Sequence, residues 1–197
     1  MPDPLASDLI SPDAGEAPLL NFASVSILKA APLTRLSFRA RGAALEKAGE
    51  GLGVPLPDTP LSSQTADKRA ALWMGPDEWT LLAPEDDVHA VVEAIEGKLG
   101  GEPHALVDIS DRSEAVIVSG EKAVWLLNTG VFVDFAPEAF PVGNVTRTVF
   151  HKSPVMIWRT GPDSFVVEAW VSFMDYVTGL LVHSARELEA WPLSTGN

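Results

Sequence analysis

The run Asp108-Ile109-Ser110-Asp111-Arg112-Ser113-Glu114 holds three carboxylates and a guanidinium within seven residues. An acid/base pair with an orienting arginine would use such a spacing. A turn between two strands uses it equally well, with Asp111 and Ser113 bonding nearby backbone and Arg112 offsetting the acids. The turn is the stronger reading, and no catalytic residue is assigned here. His89, His104, His151 and His183 are the only histidines. None has an H-x-x-H, H-E-x-x-H or carboxylate-partnered spacing, so surface or interface roles are expected in place of metal ligation. The chain has no cysteine, which removes disulfides, thiolate zinc sites and thiol nucleophiles together. It also lacks the G-x-S-x-G elbow, the G-x-x-x-x-G-K-[ST] loop and the G-x-G-x-x-G fingerprint. Simple hydrolase, P-loop and dinucleotide-binding chemistry lose their usual sequence marks.

Composition narrows the classes further. A net charge of -13 over 197 residues leaves no basic patch to neutralise phosphates or anionic lipid, so neither nucleic acid nor a membrane surface is expected as a partner. No run approaches the roughly 20 apolar residues of a bilayer span. The acidic N-terminus lacks the charged and apolar regions of a signal peptide, and a cytoplasmic location is expected. Asn144-Val145-Thr146 matches a glycosylation acceptor and carries no meaning in that compartment.

The elements that must position these residues follow from periodicity. Residues 1–24, with Pro2, Pro4, Pro12 and Pro18 among Asp3, Asp8, Asp13 and Glu16, read as an arm outside the core. Its Leu5, Leu9 and Ile10 are apolar enough to lie on the chain's own body or on a partner. Residues 25–197 read as one globular α+β domain. Strands are expected near 25–27 and 33–38, a short helix over 43–48, and an irregular Gly/Pro loop over 49–68. Strands 70–74 and 78–83 then form a hairpin, and Val88, Val91, Val92, Ile95 and Leu99 mark a helix that Gly100-Gly101 stops. The order recurs: strands 105–109 and 115–118, a helix over 121–128, a loop over 131–144, and strands near 145–151, 155–159 and 165–169. A last helix is expected to start at Ser172, with Asp175 completing an acidic capping box, and to close at Pro192.

An internal repeat accounts for this recurrence. Trp73-Met74-Gly75-Pro76-Asp77-Glu78-Trp79 reappears as Trp158-Arg159-Thr160-Gly161-Pro162-Asp163-Ser164-Phe165, with one residue inserted. The expectation is a duplicated strand-helix-strand-strand-helix unit over 25–101 and 102–191, with antiparallel sheets related by a pseudo-twofold. Of the six tryptophans, the paired Trp73 and Trp158 are expected in the core. Trp170, at a strand-to-helix junction, and Trp191 are interface candidates, with Leu5, Leu9 and Ile10.

Several segments carry a family resemblance. They are Val107-Asp108-Ile109-Ser110-Asp111-Arg112-Ser113-Glu114, the helix Ala123-Val124-Trp125-Leu126-Leu127-Asn128-Thr129-Gly130, the run Phe140-Pro141-Val142-Gly143-Asn144-Val145-Thr146-Arg147-Thr148, and Trp158-Arg159-Thr160-Gly161. In this order and spacing the chain resembles the gamma subunit of heterotetrameric sarcosine oxidases over about residues 25–190. The resemblance implies a complex that oxidises sarcosine to glycine and hydrogen peroxide, releasing formaldehyde or passing a one-carbon unit to tetrahydrofolate. It implies alpha, beta and delta partner subunits that hold FAD, FMN, NAD, tetrahydrofolate and zinc, and no cofactor in this chain. The fold is similar in turn to the folate-binding domain of the glycine-cleavage aminomethyltransferase. That family's catalytic aspartate falls near Ser153-Pro154, where the hairpin Phe150-His151-Lys152-Ser153-Pro154 offers no carboxylate. A non-catalytic assembly subunit is therefore the leading expectation. The alternative is a free-standing folate-binding protein, which would need Asp108, Glu168 or Arg159 in a pocket between the halves.

Overall fold

The computed structural model describes residues 9–190. Leu5 and Trp191, both named above as interface candidates, and Pro192 lie outside the described residues. Strands β1 (Leu20–Asn21), β2 (Ser26–Lys29) and β3 (Leu33–Ala40) lead into helix α1 (Ala43–Leu52). Strands β4 (Ser63–Ala66), β5 (Arg69–Gly75) and β6 (Glu78–Pro84) precede helix α2 (Val88–Leu99). Then come β7 (His104–Asp108), β8 (Ser113–Ser119), helix α3 (Ala123–Asn128), β9 (Val145–Phe150), β10 (Ser153–Gly161), β11 (Ser164–Trp170) and helix α4 (Val171–Ala190). All pairings are antiparallel, in a six-stranded sheet ordered β1-β2-β8-β11-β10-β9 and a five-stranded sheet ordered β4-β5-β6-β3-β7. This is the α+β, antiparallel architecture expected from the periodicity.

Side-chain alternation along the strands stacks these elements into four layers. On β10, Val155 and Ile157 face Leu126, Leu127, Val177 and Leu181 of α3 and α4. Met156 and Trp158, one residue out of phase, face Leu72, Met74 and Leu82 of the other sheet. On β6, Trp79, Leu81 and Ala83 pack on Ala44, Ala48, Val91 and Ile95 of α1 and α2, while Leu82 turns to the centre. The order is helices, sheet, sheet, helices, with both sheets buried on two faces. This explains why their strands read as near-continuous apolar runs.

Strand order shows how the two halves interlock. Under the correspondence β2-β3-α1-β4-β5-β6-α2 with β7-β8-α3-β9-β10-β11-α4, the series β2-β8-β11-β10-β9 and β7-β3-β6-β5-β4 are equivalent. Each half gives its first strand to the other's sheet: Ser26 pairs with Ser119 and Leu36 with Asp108. The expected unit gains a leading strand and β4. Both hairpins carry the same irregularity, between Trp73 and Gly75 and between Arg159 and Gly161. With this shared bulge Trp73–Trp79 and Arg159–Phe165 match one to one, so the inserted residue expected from the sequence disappears and Trp73 aligns with Arg159, not with Trp158. Trp158 is buried between the sheets, with its indole N–H donating to Ser63 Oγ at 3.0 Å. Trp73 is half-buried against the helical layer.

Further expectations are corrected. Leu9 and Ile10 are not free for a partner, because both are buried in the inter-sheet core beside Ala30 and Leu33. The arm around them pairs with the body, Asp13 N–H donating to Lys29 O and Ala31 N–H to Ser11 O, both at 2.9 Å. Helix α1 runs past Ala48 to Leu52 in spite of Gly49 and Gly51. A Cβ on Gly51 would stand 2.6 Å from the Ile95 Cα, so this glycine serves the close approach of α1 and α2. The 49–68 loop also contains β4, a polar edge strand. Helix α4 starts at Val171, which places Ser172 inside the first turn, where the expected capping box does not form.

Candidate functional site

The faces of the two sheets part at one end into a cleft of about 450 Å³. Ser37, Met74, Glu78 and Thr80 line it from the five-stranded sheet. Arg147, Pro154, Met156, Glu168 and Trp170 line it from the six-stranded one, with Ile109 and Arg112 at the connecting loop. Its charged groups hold one another across the sheets. Arg35 Nε donates to Glu168 Oε2 at 2.8 Å, and Arg35 Nη1 to Leu33 O at 3.2 Å. Arg147 donates to both oxygens of Glu78, at 2.8 and 3.1 Å, and to Met74 O at 2.7 Å. Arg35 projects from the central face of β3 and Glu168 from that of β11, 133 residues later. Local sequence offers no signal for this pair. The hairpin position discussed above lies at this cleft: Ser153 is buried and Pro154 is a wall residue.

The carboxylate-rich run is a turn, built from different residues than expected. A 3-10 turn over Ser110–Arg112 joins β7 to β8. Asp108 accepts from the Ser110 N–H at 2.9 Å and the Ser110 hydroxyl at 2.6 Å. Those bonds, the side-chain one foremost, hold the Asp108 carboxyl below its usual range. Ser110 Oγ in turn accepts from the Arg35 N–H at 3.0 Å. Asp111 and Ser113 do not make the local bonds expected of them, and Arg112 stands over the Trp170 ring, 5.8 Å from its centroid, in place of offsetting the acids. Asp108, Glu168 and Arg159 do not converge: Glu168 lines the inter-sheet cleft, Asp108 a depression shared with Lys29 and Glu114, and Arg159 a third beside Trp125.

Arg159 is a fully buried cation with a structural task. Its guanidinium donates to Gly161 O at 3.2 Å, to Phe135 O at 3.1 Å, to Phe140 O at 2.7 Å and to Pro162 O. It also lies 5.1 Å from the Phe165 ring centroid. Burial lowers its proton affinity, with Asp163 and Glu138 acting in the opposite direction. One planar fork thereby pins the irregular segment between α3 and β9, whose Phe135 and Phe140 rings meet edge-on at 5.0 Å. Among the described residues, no three His, Asp or Glu side chains are grouped as metal ligands. His104 bonds Glu102 O at 2.8 Å and Glu96 at 3.1 Å, which, the backbone bond first, raise its proton affinity. His183 pairs with Glu187 at 3.3 Å on the surface of α4, and His89 is exposed on α2. Trp170 is 49% exposed, stacked between Arg112 and, at 6.1 Å, Phe173.

Comparisons place this architecture among known proteins. The model of the sarcosine oxidase, gamma subunit family matches residues 39–187. The sarcosine oxidase subunit gamma of Corynebacterium sp. strain U-96 is 29% identical over 171 residues, covering 85% of this chain and 82% of the relative. That of an Arthrobacter species is 33% identical over 122 residues, 62% of this chain and 59% of the relative. Among solved structures, a chain of the heterotetrameric sarcosine oxidase from Corynebacterium sp. U-96 superposes with a TM-score of 0.81 at 27% identity, covering 89% of this chain and 90% of that one. The glycine cleavage system aminomethyltransferase T from Bartonella henselae superposes at 0.64 and 12% identity over 83% of this chain and 47% of that one, a likeness of fold alone. With three quarters of its length matched by the family model and a solved relative superposing over nine tenths of both chains, the chain belongs to the sarcosine oxidase gamma subunit family.

Proposed function

We propose that this chain works as a non-catalytic subunit of a heterotetrameric sarcosine oxidase, assembled with alpha, beta and delta subunits in the cytoplasm. The complex oxidises sarcosine to glycine with release or transfer of a one-carbon unit and formation of hydrogen peroxide. FAD, FMN, NAD, tetrahydrofolate and zinc reside in the partner subunits. The chain itself is two repeats, 25–101 and 102–191, preceded by the segment 1–24, and Trp170 belongs to an interface.

One observation carries the reading: the polar groups that a catalytic or folate site would need are engaged in holding the fold. Glu168 is tied to Arg35, Glu78 to Arg147, Asp108 to Ser110 and Arg159 to loop carbonyls. An enzyme tunes such groups toward substrate, whereas a scaffold spends them on its own elements. Co-expression of the full chain with the three other subunits tests it. The expected result is a four-component complex that loses integrity when this chain is left out. An active oxidase of unchanged stability assembled without it would overturn the proposal. Titration calorimetry of the isolated chain with a reduced folate separates the alternative, which requires saturable micromolar binding.

A further inference from the structure

Phe132 is 101% exposed, an entire phenyl ring in water, on a segment that is otherwise fastened down. Its neighbours Val131 and Phe135 are buried in the core of the six-stranded sheet, and Val133 packs partly against that core. Gly130 O accepts from the His151 N–H at 2.7 Å. A Cβ on Gly130 would lie 2.5 Å from the Phe150 ring, so the segment sits directly on the β9–β10 turn. The Arg159 fork holds the other side through Phe135 O and Phe140 O. The backbone that carries the ring is therefore ordered before binding, which lowers the cost of using it as an interface anchor.

The surroundings define what fits over it. Phe132 and Tyr176 border a groove of about 360 Å³ whose other walls are Asn128, Thr129, His151 and Lys152, with no carboxylate among them. In a chain of net charge -13 this lining stands out, because Lys152 is its one charged side chain. Tyr176, 43% exposed, stands three residues from Phe173 on α4, a surface-neighbour spacing on a helix, and Phe173 meets the ring of Trp170, the last residue of β11, at 6.1 Å. The exposed aromatic edge therefore runs from the Trp170 corner to Phe132.

We infer that Phe132, flanked by Tyr176 and Lys152, is the anchor by which this chain docks another subunit of its complex, entering an apolar socket rimmed by carboxylates. The inference rests on the proposed role as an assembly subunit. The socket excludes water from the ring, and acidic groups around it pair with Lys152 and select this face over the acidic remainder of the surface.

Full-length variants co-expressed with the other three subunits test it, read by native mass spectrometry and by the subunit dissociation constant. Phe132→Ala is expected to weaken assembly about thirtyfold or more. Lys152→Glu is expected to weaken it about tenfold, by an amount that shrinks as salt is raised. Trp125→Ala, at an exposed indole beside Glu121 and Asp163, is expected to change neither. Thermal unfolding of each isolated variant, unchanged from the parent chain, shows that the fold is intact. If the parent chain assembles and both Phe132→Ala and Phe132→Asp assemble equally well, the anchor is refuted while the assembly role stands. If the parent chain does not join the complex, the assembly role falls and the anchor falls with it.

Discussion

Removing the Glu168 carboxylate is expected to loosen the two sheets more than any comparable surface change. Arg35 Nε and Glu168 Oε2 are 2.8 Å apart, with side chains only 5% and 10% exposed. With charge centres roughly 4 Å apart and an effective dielectric near 20, their attraction is about 4 kcal/mol. That attraction offsets the desolvation of both groups, so the pair as a whole contributes little net stability. Glu168→Ala keeps the cost on Arg35 and deletes the compensation, leaving the guanidinium with Leu33 O as its remaining bond. The expected loss is about 3–5 kcal/mol, a fall in melting temperature of about 6–20 °C for a chain of this size. Glu168→Gln retains an acceptor oxygen without the charge and should lose less. Replacing both partners, Arg35→Met with Glu168→Leu, removes the buried charges together and should recover most of the loss. Calorimetry and urea unfolding of the parent, Arg35→Met, Glu168→Leu and the double variant, each as the isolated full chain, provide the four corners of a double-mutant cycle. A Glu168→Ala melting point within about 2 °C of the parent, or a double variant as unstable as the two single losses summed, would refute the reasoning.

Other expected outcomes probe separate parts of the molecule. Arg159→Met leaves the carbonyls of Phe135, Phe140 and Pro162 without their donor and should cost about 3 kcal/mol or more, with protease cleavage appearing between residues 131 and 144. Arg159→Lys, lacking the planar fork, should rescue only part of this. Gly51→Ala drives a methyl into the Ile95 backbone, and urea unfolding should show a loss of about 1–3 kcal/mol. His104 binds its proton more tightly folded than unfolded, so its contribution to stability is complete below pH 6.5 and is lost as pH rises through its folded value. Melting curves across pH 5–9 should show that decline in the parent chain and its absence in His104→Gln.

Element type was legible where periodicity is local. The 78–83 strand and the helix ending at Gly100 emerge with nearly their observed bounds because alternation and capping act within a few residues. Errors arose where tertiary contact overrides local preference. Gly49 and Gly51 read as helix breakers, yet α1 tolerates them because Gly51 lets α2 approach. Strand β4, Ser-Gln-Thr-Ala, has almost no apolar signal, since it sits at an edge with half-exposed side chains. The exchange of first strands was invisible, because a strand's pattern records which face is buried and not which strand lies beside it. The 108–114 run reads correctly as a turn, but its bonds fall on Asp108 in place of Asp111 and Ser113, and Arg35 gives no local signal because its partner is 133 residues away. Phe132 was indistinguishable in the sequence from Phe135 and Phe140, three rings in one irregular loop, two buried and one displayed.

The reciprocal loan of β2 and β7 sets a timetable for the nascent chain. Ser26 of β2 finds its neighbour at Ser119, 93 residues later. At ~5–20 residues per second of synthesis, β2 leaves the ribosome about 5–20 s before β8 exists to receive it. The five-stranded sheet likewise lacks its β7 border until residue 108 is made. Neither half can close its own sheet from its own residues, so severed halves should be unstable alone and regain structure only when mixed. Translation order thus makes the first repeat wait for the second.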